Sequence, residues 1–163
     1  MINDAFLQAM SRAANTVCVV TTDGPAGKFG VTVSAMTSVS IDDAGPSLLV
    51  CVHQLSPACD AIRQNGVFNI NLLGADQASV SDCFAGRTGA KGVDKFACAD
   101  WSIGETGVPV LVGAQASFEC HLIEDTPVGS HCIFVGRVVQ ASSATTGAPL
   151  VYHDRTYARL APL

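Results

Sequence analysis

The chain is short of charge. Only 14% of its 163 residues are Asp, Glu, Lys or Arg, against 48% apolar residues, and the net charge is −5. Its nine basic residues are scattered, with only Arg87, Lys91 and Lys95 at even spacing. That leaves no basic patch for nucleic acid or an anionic membrane surface, and neither is expected as a partner. The longest fully apolar run, "LLVCV", is far too short to cross a bilayer, and no charged start followed by an apolar run marks a secretion signal. Seven cysteines are present, an odd number, and no two form C-x-x-C. Zinc or iron–sulfur ligation wants closely paired thiols, so no metal is expected. Several cysteines lie within apolar runs, as in "TVCVV" and "LLVCV", and read as buried free thiols of a reducing cytoplasm.

Familiar nucleotide and catalytic signatures are missing too. "GPAGKFG" spaces its glycines three apart, which suits a hairpin turn and not the G-x-G-x-x-G fingerprint. There is no phosphate-binding G-x-x-x-x-G-K-[ST] and no G-x-S-x-G nucleophile elbow. His53, His121, His131 and His153 are not at metal-motif spacing. A nucleotide, if bound, is held by another route.

What is present is a run of β patterns. The length suits one domain spanning residues 1–163. "INDAFLQAMSRAA" sets Ile2, Phe6, Met10 and Ala13 at helical spacing, with Asn3 or Asp4 as N-cap. "TVCVVTT" is a strand that ends at the "DGPAGK" turn, and "GVTVSAMTSVS" reads as the next strand, with Thr32, Ser34, Met36, Ser38 and Ser40 on its second face. "LLVCVH" is apolar on both faces and predicts a central strand. "SPACDAIRQNG" is a helix with Ser56 as N-cap, Pro57 in the first position and Gly66 as C-terminal cap. "VFNINLL" alternates Val67, Asn69 and Asn71 against Phe68, Ile70 and Leu72. "ADQASVSDCFAG" predicts a short helix closed by Gly86, then a Gly-rich loop "RTGAKGVDKF". The rest reads as strands, in "PVLVGAQASFECHLIED", "HCIFVGRVVQAS" and "LVYHDRTYARL". Roughly eight strands to three helices, without βα alternation, predict a mainly β fold: an antiparallel barrel with appended helices.

Three places can carry chemistry. The helix at Ser56 follows a strand and offers free N–H groups and a hydroxyl to a phosphate, although Ser56 as a plain cap is the simpler reading. The small hydroxyl face of "GVTVSAMTSVS" lets backbone approach a flat ring; a sheet packed on a helix explains it as well. "PVGSHCIFVGRV" delivers His131 at the mouth of an apolar strand, where an imidazole binds, positions or donates protons, or is merely structural.

Taken in order, "TTDGPAGKFGVTVSAMTSVS", "PSLLVCV", "VFNINLL", "CFAGRTG" with "KF", "VGSHCIFVGRV" and "PLVYHDRTY" resemble the short-chain flavin reductases over nearly the whole chain. These are the reductase components of two-component flavin monooxygenases, such as the partner of 4-hydroxyphenylacetate 3-monooxygenase. The resemblance implies a homodimeric FMN-binding split β-barrel that uses NADH or NADPH to reduce FMN or FAD. It puts the flavin ring against Val33, Ser34, Ala35, Met36, Thr37 and Ser38, with the ribityl chain and phosphate along Cys51, Val52, His53 and Ser56. Phe84, Ala85 and Gly86 match the family's "FAG", Lys95 and Phe96 its "KF", and Tyr152 and Tyr157 an aromatic pair near the C-terminus. His131 matches the nicotinamide-binding histidine and is the one catalytic candidate. Two departures stand out: Ser130 where many relatives have Asp, and His53 where many have Asn. The first leaves NADH or NADPH open. Other readings on the same barrel are a non-catalytic flavin- or haem-binding module and a pyridoxamine-phosphate-oxidase-like flavoenzyme.

Overall fold

The computed structural model describes all residues 1–163. Three α-helices are formed: α1 (Ile2–Ser11), α2 (Pro57–Asn65) and α3 (Ala78–Phe84), with a 3-10 segment at Gly92–Cys98. The strands are β1 (Asn15–Thr16), β2 (Cys18–Thr22), β3 (Phe29–Val33), β4 (Met36–Asp42), β5 (Gly45–His53), β6 (Val67–Leu72), β7 (Trp101–Ile103), β8 (Pro109–Leu111), β9 (Ala116–Val128), β10 (His131–Ser143), β11 (Leu150–His153) and β12 (Thr156–Arg159).

Seven strands form one antiparallel sheet in the order β3-β2-β6-β9-β10-β5-β4. Its two edges, β3 and β4, are consecutive in sequence and joined only by Ser34 and Ala35. A flat sheet of seven strands would hold its edges about 29 Å apart. Two residues reach only about 7–10 Å. The sheet therefore curls into a barrel. Closure is incomplete: no ladder joins β3 to β4, and the bond from the Cys51 N–H to the Ala35 carbonyl at 3.1 Å only carries the β4–β5 ladder one residue past Met36. This is the split barrel.

The barrel interior holds the larger core, with Phe68, Ile70, Val50, Val52, Phe134, Cys18 and Cys132 fully buried. Gly136 makes room for it, because a Cβ there would come within 2.5 Å of Phe68 Cζ. A second core lies outside the wall, where Val17, Val19 and Leu73 meet Val80, Phe84 and Leu150. The polar side of β6 is buried as well: Asn69 and Asn71 are fully enclosed. Asn71 accepts from the Leu111 N–H at 2.7 Å and donates to the Val19 carbonyl, so it fastens the β7–β8 hairpin to the barrel.

Two sequence expectations need correction. "GVTVSAMTSVS" is not one strand: it breaks at Ser34–Ala35 and has a register shift between Ser38 and Ser40. Its period of two fails, because Met36 packs against the core while Thr32 bonds to the Ser81 carbonyl on α3. "PVLVGAQASFECHLIED" is β as expected and forms two strands, β8 and β9. Helix α1 begins at Ile2, so Met1 occupies the N-cap and Asp4 lies in the first turn, with the terminal ammonium 3.4 Å from its carboxylate. By contrast, α2 begins at Pro57 behind Ser56 and ends at Gly66, whose φ of 69° is the left-handed conformation a C-terminal cap requires.

Candidate active site

Strand β3 organises the site. It pairs with β2 along one edge only, so its other edge carries unpaired backbone groups. Its residues line three cavities. One, of about 190 Å³, is bounded by Val31, Thr32, Val33, Ser34, Ala35, Cys51, His53 and His131. A second, of about 160 Å³, shares Thr32, Val33 and Ser34 and adds Val17, Ser81, Ala85, Arg87, Tyr152 and Tyr157. The third joins Phe29 and Gly30 to Ser56, Pro57, Ala58, Gly92 and Lys95.

Ser56 makes no side-chain hydrogen bond to its helix. Its hydroxyl is thus not consumed by capping, and it stands at the positive end of α2 in the same cavity as Lys95. Lys95 is itself fixed, donating from Nζ to the Phe84 carbonyl at 3.1 Å. The segment carrying it rests on an edge-to-face aromatic group: Phe84 to Phe96 at 5.1 Å, Phe84 to Trp101 at 5.4 Å and Phe96 to Trp101 at 5.0 Å. Gly30 is required beneath this group, since a Cβ there would come within 2.5 Å of Phe84 Cε1.

His131 follows a two-residue turn, Gly129–Ser130, that joins two 13-residue strands. Gly129 has φ 56°, as the first position of a type II′ hairpin turn demands. The Ser130 hydroxyl lies 2.9 Å from His131 Nδ1. His53 stands opposite His131 in register, with ring centroids 4.9 Å apart and edge to face. Burial pushes the Cys51 thiol up, so it stays protonated and serves as a small wall, not a nucleophile.

In the second cavity Tyr157 donates to Asp82 at 2.8 Å and lies 2.9 Å from the Ser81 hydroxyl, while Arg87 meets Asp82 at 2.7 Å. The Tyr157 hydroxyl, and then Arg87, hold the Asp82 carboxyl below the usual carboxylate range. A depressed folded pKa contributes stability that is present above the unfolded value, near 4, and lost as pH falls through the folded one. The melting temperature is therefore expected to fall on acidification from about pH 5. An Asp82→Asn variant should show a shallower acid limb by scanning fluorimetry; an unchanged slope would deny Asp82 this role.

The structure brings together Val33, Ser34, Ala35, Cys51, His53 and His131, and separately Ser56 and Lys95. Ala85, Tyr152 and Tyr157 line the Ser34 side. Gly86, with φ 80°, follows Ala85 and ends the turn after α3. Other expected site residues stand elsewhere. Val52 is fully buried in the barrel core and Phe84 in the outer core, where Phe96 packs against it. Thr37 and Ser38 are exposed on β4 and line none of the three cavities. The His53 ring stands against that of His131, while its carbonyl accepts the Ser56 N–H at 2.9 Å. Sequence reasoning missed Thr32, Ser81 and Arg87. Thr32 was visible within the hydroxyl run; the other two carried no signal, because their place depends on how α3 meets β12.

The sequence model of the "flavin reductase like domain" family matches residues 10–161. FMN reductase (NADH) RutF of Ancylobacter novellus is 38% identical over 154 residues, covering 94% of this chain and 83% of the relative. Among solved structures, BorF, the flavin reductase component of a bacterial two-component tryptophan halogenase, superposes with a TM-score of 0.88 at 33% identity, over 99% of each chain. The Streptomyces globisporus NADH:FAD oxidoreductase SgcE6, in complex with NAD and FAD fragments, gives 0.87 at 28% identity, over 98% of this chain and 93% of that one.

Proposed function

The chain belongs to the flavin reductase-like family, and from that premise we infer that it transfers a hydride from NADH to FMN or FAD and supplies the reduced flavin to a flavin-dependent monooxygenase. The observation that carries the reading is the convergence of three cavities on the free edge of β3.

The residues fit a flavin. The free backbone edge of β3 offers donors and acceptors to the rim of a flat ring, and the small side chains of Ser34 and Ala35 let the ring come close. Ser56, the α2 N-terminus and Lys95 suit its phosphate. When bound, flavin supplies the hydride acceptor. The protein has little acid–base work to do: it holds two flat rings close together and keeps water out. Ser34 and the β3 backbone hold one ring, and donors there favour the charge that reduction adds. His131 positions the nicotinamide from the other side of the same cavity.

Purified protein mixed with NADH and FMN, FAD or riboflavin should consume NADH, followed by its absorbance. No oxidation with any flavin, from NADH or NADPH, would overturn the reading. His131→Ala should raise the KM for NADH about tenfold, the effect of losing a contact worth about 1.4 kcal/mol, while flavin affinity stays within about twofold.

The protein works as a homodimer. No residue of α1 is buried, and its Ile2, Phe6, Leu7 and Met10 are exposed, as are Val39 and Ile41 on β4. Apolar surface of this extent is expected to meet a second copy. Sedimentation at micromolar concentration should give twice the chain mass, and a monomer would refute this. No helix is long and apolar enough to cross a membrane, and all seven cysteines are unpaired, which fits action in the cytoplasm.

A further inference from the structure

The His131 hairpin leans on β5. The tip of β9–β10 is exposed from Glu124 to His131, apart from the buried Cys132 beyond it, and His131 ends both of its ladders, to β9 and to β5. Strand ends of this kind fray readily. Here the ladder is prolonged past its end by one residue. The Gln54 N–H donates to the Ser130 carbonyl at 2.9 Å, and Gln54 Nε2 donates to the carbonyls of Gly129 at 3.0 Å and His131 at 3.1 Å. One side chain thus ties both ends of the turn that presents His131.

His53 completes the support. Its ring meets the His131 ring edge to face at 4.9 Å, and it is itself held, because its Nδ1 accepts the Leu55 N–H at 3.1 Å. An Nδ1 that accepts carries no proton, so the neutral ring has its hydrogen on Nε2. The other neighbour of the His131 ring is the Ser130 hydroxyl at Nδ1. No carboxylate is hydrogen-bonded to either imidazole.

We propose that His53 and Gln54 are positioning residues for His131: Gln54 fixes the Gly129–Ser130 turn and the His53 ring fixes the rotation of the His131 imidazole. Both act on the nicotinamide side of the cleft, not at the phosphate corner. This rests on the reading of His131 as the nicotinamide-positioning residue, and it adds two residues that act on the co-substrate through it.

The test is steady-state kinetics with NADH and flavin varied in turn, on His53→Ala, His53→Phe, Gln54→Ala and His131→Ala, and on each alanine variant combined with His131→Ala. Gln54→Ala and His53→Ala should each raise the KM for NADH about fivefold, the scale of one or two lost hydrogen bonds or a ring contact, with the KM for flavin moving less than about twofold. His53→Phe keeps the ring contact and should return the KM for NADH to near the parent value. In the His131→Ala background neither alanine should have a further effect, because residues that act through one group are not additive. Unchanged KM values for NADH in the single variants overturn the proposal. So does an additive effect in the His131→Ala background, which would mean direct contact with the ligand, and so does failure of His53→Phe to rescue. If His131→Ala itself leaves the KM for NADH unchanged, the role of His131 falls first and the supporting roles with it.

Discussion

Replacing Ser34 with phenylalanine is expected to abolish flavin binding and NADH oxidation while the melting temperature stays within a few degrees of the parent. Ser34 is exposed, lies between β3 and β4, and belongs to neither ladder. Its side chain breaks no core contact when enlarged. It does border two of the three cavities at once. A benzyl group there fills the space over the β3 edge that the flat ring needs. Loss of at least 100-fold in flavin affinity, about 2.7 kcal/mol, is expected, read by quenching of flavin fluorescence. Normal flavin binding by a folded variant would reduce this segment to scaffold. The neighbouring residue gives a control of opposite kind. The Ala35 carbonyl accepts the Cys51 N–H and so extends the β4–β5 ladder; a large residue at 35 threatens both that pairing and binding, whereas Ser34 separates them.

That separation explains what was legible in the sequence. Elements specified by local chemistry were read correctly: "SP" opening α2 and Gly66 closing it, and "VGSH" as a tight turn delivering His131. Period-two alternation failed in "GVTVSAMTSVS", because small hydroxyl residues continue without a break through Ser34–Ala35. What interrupts the strand there is a change of partner, from β2 before Ser34 to β5 after it, which no local pattern encodes. The burial of the polar face of β6 is likewise set by elements distant in sequence. Asn69 and Asn71 are both buried, with the Leu111 N–H of β8 donating to Asn71 and the Ser117 hydroxyl of β9 donating to Asn69. The site was half legible for the same reason. Residues that follow one another on β3 were identified together, but Thr32, Ser81 and Arg87 meet only once α3 and β12 pack against that strand. The resemblance set the whole segment Cys51 to Ser56 along the ribityl chain and phosphate; what it did not signal is the antiparallel register that sets the His53 ring against His131, 78 positions later.

Phe84→Ala is expected to cost about 3–5 kcal/mol, lowering the melting temperature by about 6–20 °C for a chain of this size, and to take flavin binding with it. Phe84 is 1% exposed and is the member of the aromatic group that sits on α3, against Phe96 and Trp101. Those two rings hold the Gly92–Cys98 segment that carries Lys95, and Trp101 Nε1 donates to the Phe96 carbonyl at 3.0 Å. Removing the Phe84 ring leaves them packed on a void, and Lys95 loses its fixed place beside Ser56. Gly30 supplies the decisive companion. Gly30→Ala puts a methyl group 2.5 Å from Phe84 Cε1 and 2.8 Å from Cδ1, an overpacking that should cost about 1–3 kcal/mol on its own. In the Phe84→Ala background the same methyl group enters the space the ring has left, and its penalty should vanish or change sign. Equal penalties in both backgrounds would show that Gly30 answers to the β3 backbone and not to Phe84. The link between the outer core and the flavin edge would then have to run through Thr32 and its bond to the Ser81 carbonyl.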